Sequence, residues 1–211
     1  MPVRSSGGRW PRSLWVTRTG GFAERTRMIV RPAFAWLMPS QRQAGAIAER
    51  LSGVPFTGAW HSPLQRASET ARIMQERMPA LEMEPSALLF DCYPSGPTPD
   101  MPRAFESFFG GVTEEEIDAG QAQMADATAE FLAPARGDRH DLLITHNFVI
   151  GYFVREVLDA PKWRWLGVNQ ANCGLTIIRV RSAKPPVLVV HNDLGHLPTE
   201  LRTGLPIEQP Y

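Results

Sequence analysis

At 211 residues, with 43% hydrophobic and 21% charged side chains, the chain is long enough to bury a sizeable core and has the composition of a soluble globular protein. Its 22 basic and 22 acidic residues cancel, so no net field recruits nucleic acid or an anionic membrane surface. No apolar run approaches the about 18 residues of a membrane helix, and two cysteines, Cys92 and Cys173, are too few for a disulfide framework, so the expected setting is the cytoplasm.

The first 13 residues carry Arg4, Arg9 and Arg12 with no apolar stretch behind them, which predicts a loose tail before a single domain over 14–211. In residues 14–21 an apolar run ends in Arg18, Thr19, Gly20 and Gly21. That pattern predicts a buried strand entering a glycine turn. The carboxyl ends of such strands face the ligand crevice of an open α/β sheet, and Arg18 beside opened backbone N–H groups suits an anion. Residues 22–35, mixing Glu24, Arg25, Arg27, Arg31 and Pro32, predict an irregular loop.

Beyond Pro39 a helix is predicted to residue 51, with Ala44, Ile47, Ala48 and Leu51 on one face and Gly53 and Pro55 ending it. Residues 56–61 predict a short strand. Ser62-Pro63 then opens a helix with Ala67, Thr70, Ala71 and Met74 inward. A third short strand is predicted over 88–90, leading to Asp91. Four prolines, Pro94, Pro97, Pro99 and Pro102, suppress regular structure after it. Phe105, Phe108 and Phe109 form an aromatic face that packs into the core or covers a pocket. Thr113 starts a long helix with three glutamates in its first turn, where the helix dipole favours them.

Residues 141–147 predict an apolar strand ending at His146, and a helix over 148–158 follows at once. Trp163 and Trp165 mark a connection, and strands over 175–180 and 187–191 close the chain. No internal repeat is visible. The alternation predicts one three-layer α/β domain with a mainly parallel central sheet flanked by helices.

Arg18, Arg66, Asp91 and His146 each end a strand or open a helix. Two guanidiniums wrap a phosphate bidentately and an imidazole adds a charge-assisted bond. Arg66 sits in a first helical turn, where the dipole favours the same anion. Asp91 is the candidate general acid, a role that needs a raised pKa. No Cys/His spacing suggests a metal, no cofactor is expected, and nothing assigns an oligomeric state.

In this order the pieces resemble the histidine phosphatase superfamily, the phosphoglycerate-mutase-like fold. The run from Ser62-Pro63-Leu64-Gln65-Arg66-Ala67 to Thr70-Ala71 is similar to the family's Ser-Pro-Leu-x-Arg-Ala-x-x-Thr-Ala element. Thr145-His146 resembles its late Thr-His, Asn192 to Leu197 its closing Asn-x-x-x-His-Leu stretch, and Arg18-Thr19-Gly20 its Arg-His-Gly opening. The run from Leu88 through Asp91 to Pro99 resembles the acid-bearing loop of the mitochondrial Ser/Thr phosphatase branch, with aspartate where glutamate is usual.

The resemblance implies phosphoryl binding by Arg18, Arg66 and His146, with no metal or cofactor. It also places Thr19 where the family's first histidine becomes phosphohistidine, and Arg25 near a phosphate-contacting asparagine. A threonine hydroxyl needs an adjacent base to attack. His61 and Cys92 are candidate replacements, with a surface histidine and a half-buried thiol as the plainer readings. Three functions follow: a repurposed enzyme acting on an anionic, phosphorylated small molecule without phosphohistidine, a pseudophosphatase that binds such a ligand, and a residual phosphomonoester phosphatase.

Overall fold

The computed structural model describes residues 24–32, 38–135 and 137–205. Strands β1 (Glu24–Val30), β2 (Gly58–His61), β3 (Glu84–Pro85), β4 (Arg139–Ile144), β5 (Leu175–Arg181) and β6 (Lys184–Asp193) form one sheet. Its order is β3-β2-β4-β1-β5-β6, and β5 alone runs against the other strands.

Helices α1 (Met38–Leu51) and α2 (Gln65–Arg77) cover one face, and α3 (Glu114–Phe131) and α4 (Asn147–Val157) the other. Strand alternation feeds both cores. Met28, Val30, Leu142 and Ile144 meet Ile47, Ala71 and Met74 on one side. Ile29, Leu143 and Ile178 meet Met124, Phe131 and Phe153 on the other. A sheet covered twice needs apolar residues at consecutive positions, which is why β1 and β4 end in unbroken apolar runs. Each large side chain so buried contributes about 1.5–3 kcal/mol before chain entropy is counted. The three-layer α/β architecture expected from the alternation is therefore present.

Two expected elements are corrected. The segment expected as an irregular loop holds β1, the strand between β4 and β5 at the heart of the sheet. Its pattern is hidden by Arg25 and Arg27, both buried. Arg25 Nε donates to Asp141 at 2.9 Å, and Arg27 pairs with the same carboxylate. Arg27 also donates to the carbonyls of Phe131 (2.5 Å) and Glu130 (3.2 Å), and Arg25 to those of Glu130 (2.9 Å) and Ala133 (3.1 Å). The two guanidiniums cap the carboxyl end of α3, where orphan carbonyls and the dipole favour cations. Burial pulls Arg27 down to about 9 against the opposing pull of Asp141, so it stays charged at neutral pH. The strand expected over residues 14–17 lies outside the described residues.

The strand expected over 88–90 is instead a 3-10 helix, Ala87–Leu89, and the parallel edge strand is β3, just before it. Pairing ends where the Ser86 N–H reaches the His61 carbonyl (2.9 Å) and Leu89 turns into the core. The long helix starts where expected. Thr113 and Glu116 form a reciprocal capping box at its first turn.

Candidate active site

Parallel strands end on one edge, and here that edge carries the chemistry. The Thr145 N–H bonds the Val30 carbonyl (3.0 Å) and the Ser62 N–H the Ile144 carbonyl (2.9 Å). These bonds set Arg31, Ser62 and His146 side by side as β1, β2 and β4 finish. The Thr145 hydroxyl donates to the Leu89 carbonyl at 2.8 Å, tying the 3-10 turn to β4 so that Asp91 sits over the same edge. Helix α2 brings in Arg66 from its first turn.

Arg66 joins the parts. Its Nε donates to His146 Nδ1 at 3.1 Å and its Nη2 to Asp91 Oδ2 at 2.7 Å. Asp91 Oδ2 lies 4.0 Å from His146 Nδ1. A guanidinium has donors only, so Nδ1 accepts and the imidazole proton sits on Nε2. Nε2 then donates to Ser62 Oγ at 2.8 Å. Burial, reinforced by the positive charges of Arg66 and Arg31, holds His146 down to about 3, so it is neutral. Burial also lowers Arg31, with Asp91 pulling it back up. Asp91 is pushed above the ordinary carboxylate value because burial outweighs Arg66 and Arg31. Its side chain keeps 35% of its exposure, which leaves it open to solvent and ligand.

Of the residues expected from sequence, Arg66, Asp91 and His146 meet. Arg18 and Thr19 lie outside the described residues. The arginine that follows the central strand is Arg31, which the sequence alone places in an irregular loop. Its signal was the run Met28-Ile29-Val30 directly before it. Three candidates are corrected. Arg25 is buried on Asp141 at the opposite end of β1, six residues and roughly 20 Å of strand from Arg31. His61 and Ser62 are consecutive in extended backbone, which sends them to opposite sides. Ser62 meets His146, while His61 lines a cleft of about 400 Å³ beside α2 and donates Nδ1–H to the Ser62 carbonyl (2.8 Å). Cys92 is half-buried against the α3–α4 core, where burial and Asp91 push its thiol up to about 12. It is no thiolate.

Phe105, Phe108 and Phe109 are core packing. Phe108 stands edge-on to Phe148 (5.4 Å between centroids) and to the fully buried Trp165 (5.7 Å). The closing Asn192 to Leu197 stretch is a brace rather than a ligand. Asn192 Oδ1 takes the Ala171 N–H (2.8 Å) and His196 Nε2 donates to the Cys173 carbonyl (2.9 Å). Cys173 N–H in turn holds the Arg31 carbonyl (2.7 Å).

The family model of the histidine phosphatase superfamily (branch 1) matches residues 39–92, the span from α1 through Arg66 to Asp91. The solved phosphoglycerate mutase of Plasmodium falciparum superposes with a TM-score of 0.57 at 20% identity, over 89% of this chain and 97% of that one. The fold is phosphoglycerate-mutase-like. YhfR of Bacillus stearothermophilus shares this fold with a TM-score of 0.65 at 17% identity, over 82% of this chain and 98% of that one. In sequence, the mitochondrial serine/threonine-protein phosphatase Pgam5 of Caenorhabditis briggsae is 28% identical over 162 residues, 74% of this chain and 56% of that protein. The chain spans about half the length of the curated relatives it matches.

Proposed function

We propose that this chain binds a phosphorylated small molecule, or a similar tetrahedral oxyanion, through Arg31 and Arg66, with His146 positioning Arg66, and does not turn it over through a phosphohistidine. One observation carries the reading: the residue after Arg31, at the carboxyl end of the central strand, is Pro32. In the superfamily pattern an arginine–histidine pair follows the first strand, and the histidine attacks phosphorus. The register of β1 with β4 supports reading Arg31-Pro32, in place of Arg18-Thr19, as the counterpart of that pair. Proline has no side-chain nucleophile.

The neighbouring groups do not replace it. Ser62 is fully buried and accepts a hydrogen bond from His146 Nε2–H rather than giving its proton to the ring. A serine without a base is a poor nucleophile. Cys92 is held as a thiol. What remains is two guanidiniums placed for charge-assisted bonds to an oxyanion, beside an imidazole that holds Arg66 through Nδ1, with Asp91 able to donate once protonated.

The test is turnover of para-nitrophenyl phosphate by the chain beside Pro32→His and Thr19→His variants. The unmodified chain and Thr19→His stay silent, and Pro32→His gains turnover that an added Arg66→Ala removes. Turnover by the unmodified chain that Thr19→Ala abolishes overturns the assignment.

A further inference from the structure

The last described turn of the chain reaches back to Arg31. Arg31 Nη1 donates to the carbonyls of Gln170 and of Gly204, the latter at 2.6 Å. Both protons of that nitrogen are so engaged. Among the described residues, Nε and Nη2 make no hydrogen bond, and these two form the side of a guanidinium that grips an oxyanion with two parallel bonds.

The carbonyls are themselves held. Gln170 is fully buried, and its N–H is taken by Asn147 Oδ1 (2.9 Å), one residue beyond His146. The Thr203 carbonyl takes the Asn172 N–H (2.8 Å). The Thr203 hydroxyl accepts from Gln43 Nε2 (2.9 Å) and Asn172 Nδ2 (3.2 Å). Gln43, 1% exposed, also donates to the Leu201 carbonyl at 2.6 Å. At Gly204 φ is +91°, and a Cβ would meet Asn172 Oδ1 at 2.6 Å and Arg31 Nη1 at 3.0 Å. Only glycine lets that carbonyl approach the guanidinium.

We propose that Thr203 and Gly204 are positioning residues: a carbonyl clamp grips the Nη1 side of Arg31 and presents its Nε/Nη2 side to the bound oxyanion. The inference rests on the reading of Arg31 as an anion ligand. An arginine free to rotate loses rotamer entropy on binding, whereas a clamped one has lost it already on folding. None of the clamp residues belongs to the sequence motifs that mark the site.

The test titrates inorganic phosphate into the full chain by calorimetry, with nitrogen-15 NMR of the Arg31 guanidinium recorded on the same samples. Thr203→Val keeps the side-chain volume and removes the acceptor shared by Gln43 and Asn172. Thr203→Ser keeps the acceptor, and Gly204→Ala forces the strap away. Thr203→Val and Gly204→Ala are expected to weaken phosphate binding roughly tenfold and to broaden the Arg31 signal, with Thr203→Ser matching the unmodified chain. Phosphate binding that needs Arg66 but is unchanged in Thr203→Val and Gly204→Ala overturns the clamp and leaves the proposed function standing. An equal loss in Thr203→Ser and Thr203→Val also overturns it. If the unmodified chain binds no phosphate, the proposed function fails, and an Arg31 signal unaltered by Thr203→Val removes the clamp as well.

Discussion

Arg66 donates its Nε–H to His146 Nδ1 at 3.1 Å, and that bond decides what the histidine can do. It fixes the proton on Nε2, where Ser62 Oγ accepts it, and leaves the imidazole neutral between two guanidinium charges. A histidine so held orients and donates; it does not abstract a proton from Ser62. Nitrogen-15 NMR of the imidazole checks this. The His146 ring stays neutral and Nε2-protonated from pH 8 to pH 5, and a titration near the ordinary 6.5 contradicts it.

The same depression makes the fold acid-sensitive. His146 ionises at about 3 when folded and near 6.5 when unfolded. Its contribution is therefore complete above pH 6.5 and is lost as pH falls toward 3. Between pH 7 and pH 5 the loss is on the order of 2 kcal/mol. Urea midpoints across that range measure it, and a His146→Gln variant shows a correspondingly flatter pH profile.

Asp91 carries the same sign as the ligand. It pairs with Arg66 at 2.7 Å, so an incoming anion competes with a carboxylate for the same guanidinium. Because burial pushes Asp91 upward, lowering the pH protonates it early and frees Arg66. Sulfate, which does not titrate in this range, is expected to bind more tightly at pH 5 than at pH 7. Asp91→Asn binds it more tightly at pH 7 and loses most of the pH dependence. Calorimetric titration at constant ionic strength reads both.

At the far end of the sheet, Asp141 is fully buried between Arg25 and Arg27. Asp141→Asn leaves two buried guanidiniums with only the exposed Glu130, 3.8 Å from Arg25, as counter-charge and is expected to cost about 3–5 kcal/mol. Urea unfolding measures the loss.

These two clusters explain what the sequence disclosed. Arg66 and His146 were legible because a small-residue helix face after Ser-Pro and an unbroken apolar strand are local patterns. The helix start at Thr113, marked by three glutamates in one turn, was equally plain, though its capping box with Glu116 was not read. Strand β1 was not, because Arg25 reads as a loop residue until Asp141, 116 positions later, is known to neutralise it. The more uniformly apolar stretch at 14–16 reads as the first strand in its place, and Arg31 then falls in a loop. The roles of Ser62, Gln170 and Gly204 depend on chain segments meeting in space, for which no local pattern exists.

The most direct test of the central claim is a calorimetric titration of phenyl phosphate into the full chain, which reads binding and hydrolysis in one experiment. A saturable binding heat that Arg66→Ala abolishes is expected, returning to baseline with no sustained heat of hydrolysis. A sustained hydrolytic heat from the unmodified chain, removed by Arg66→Ala, would contradict it.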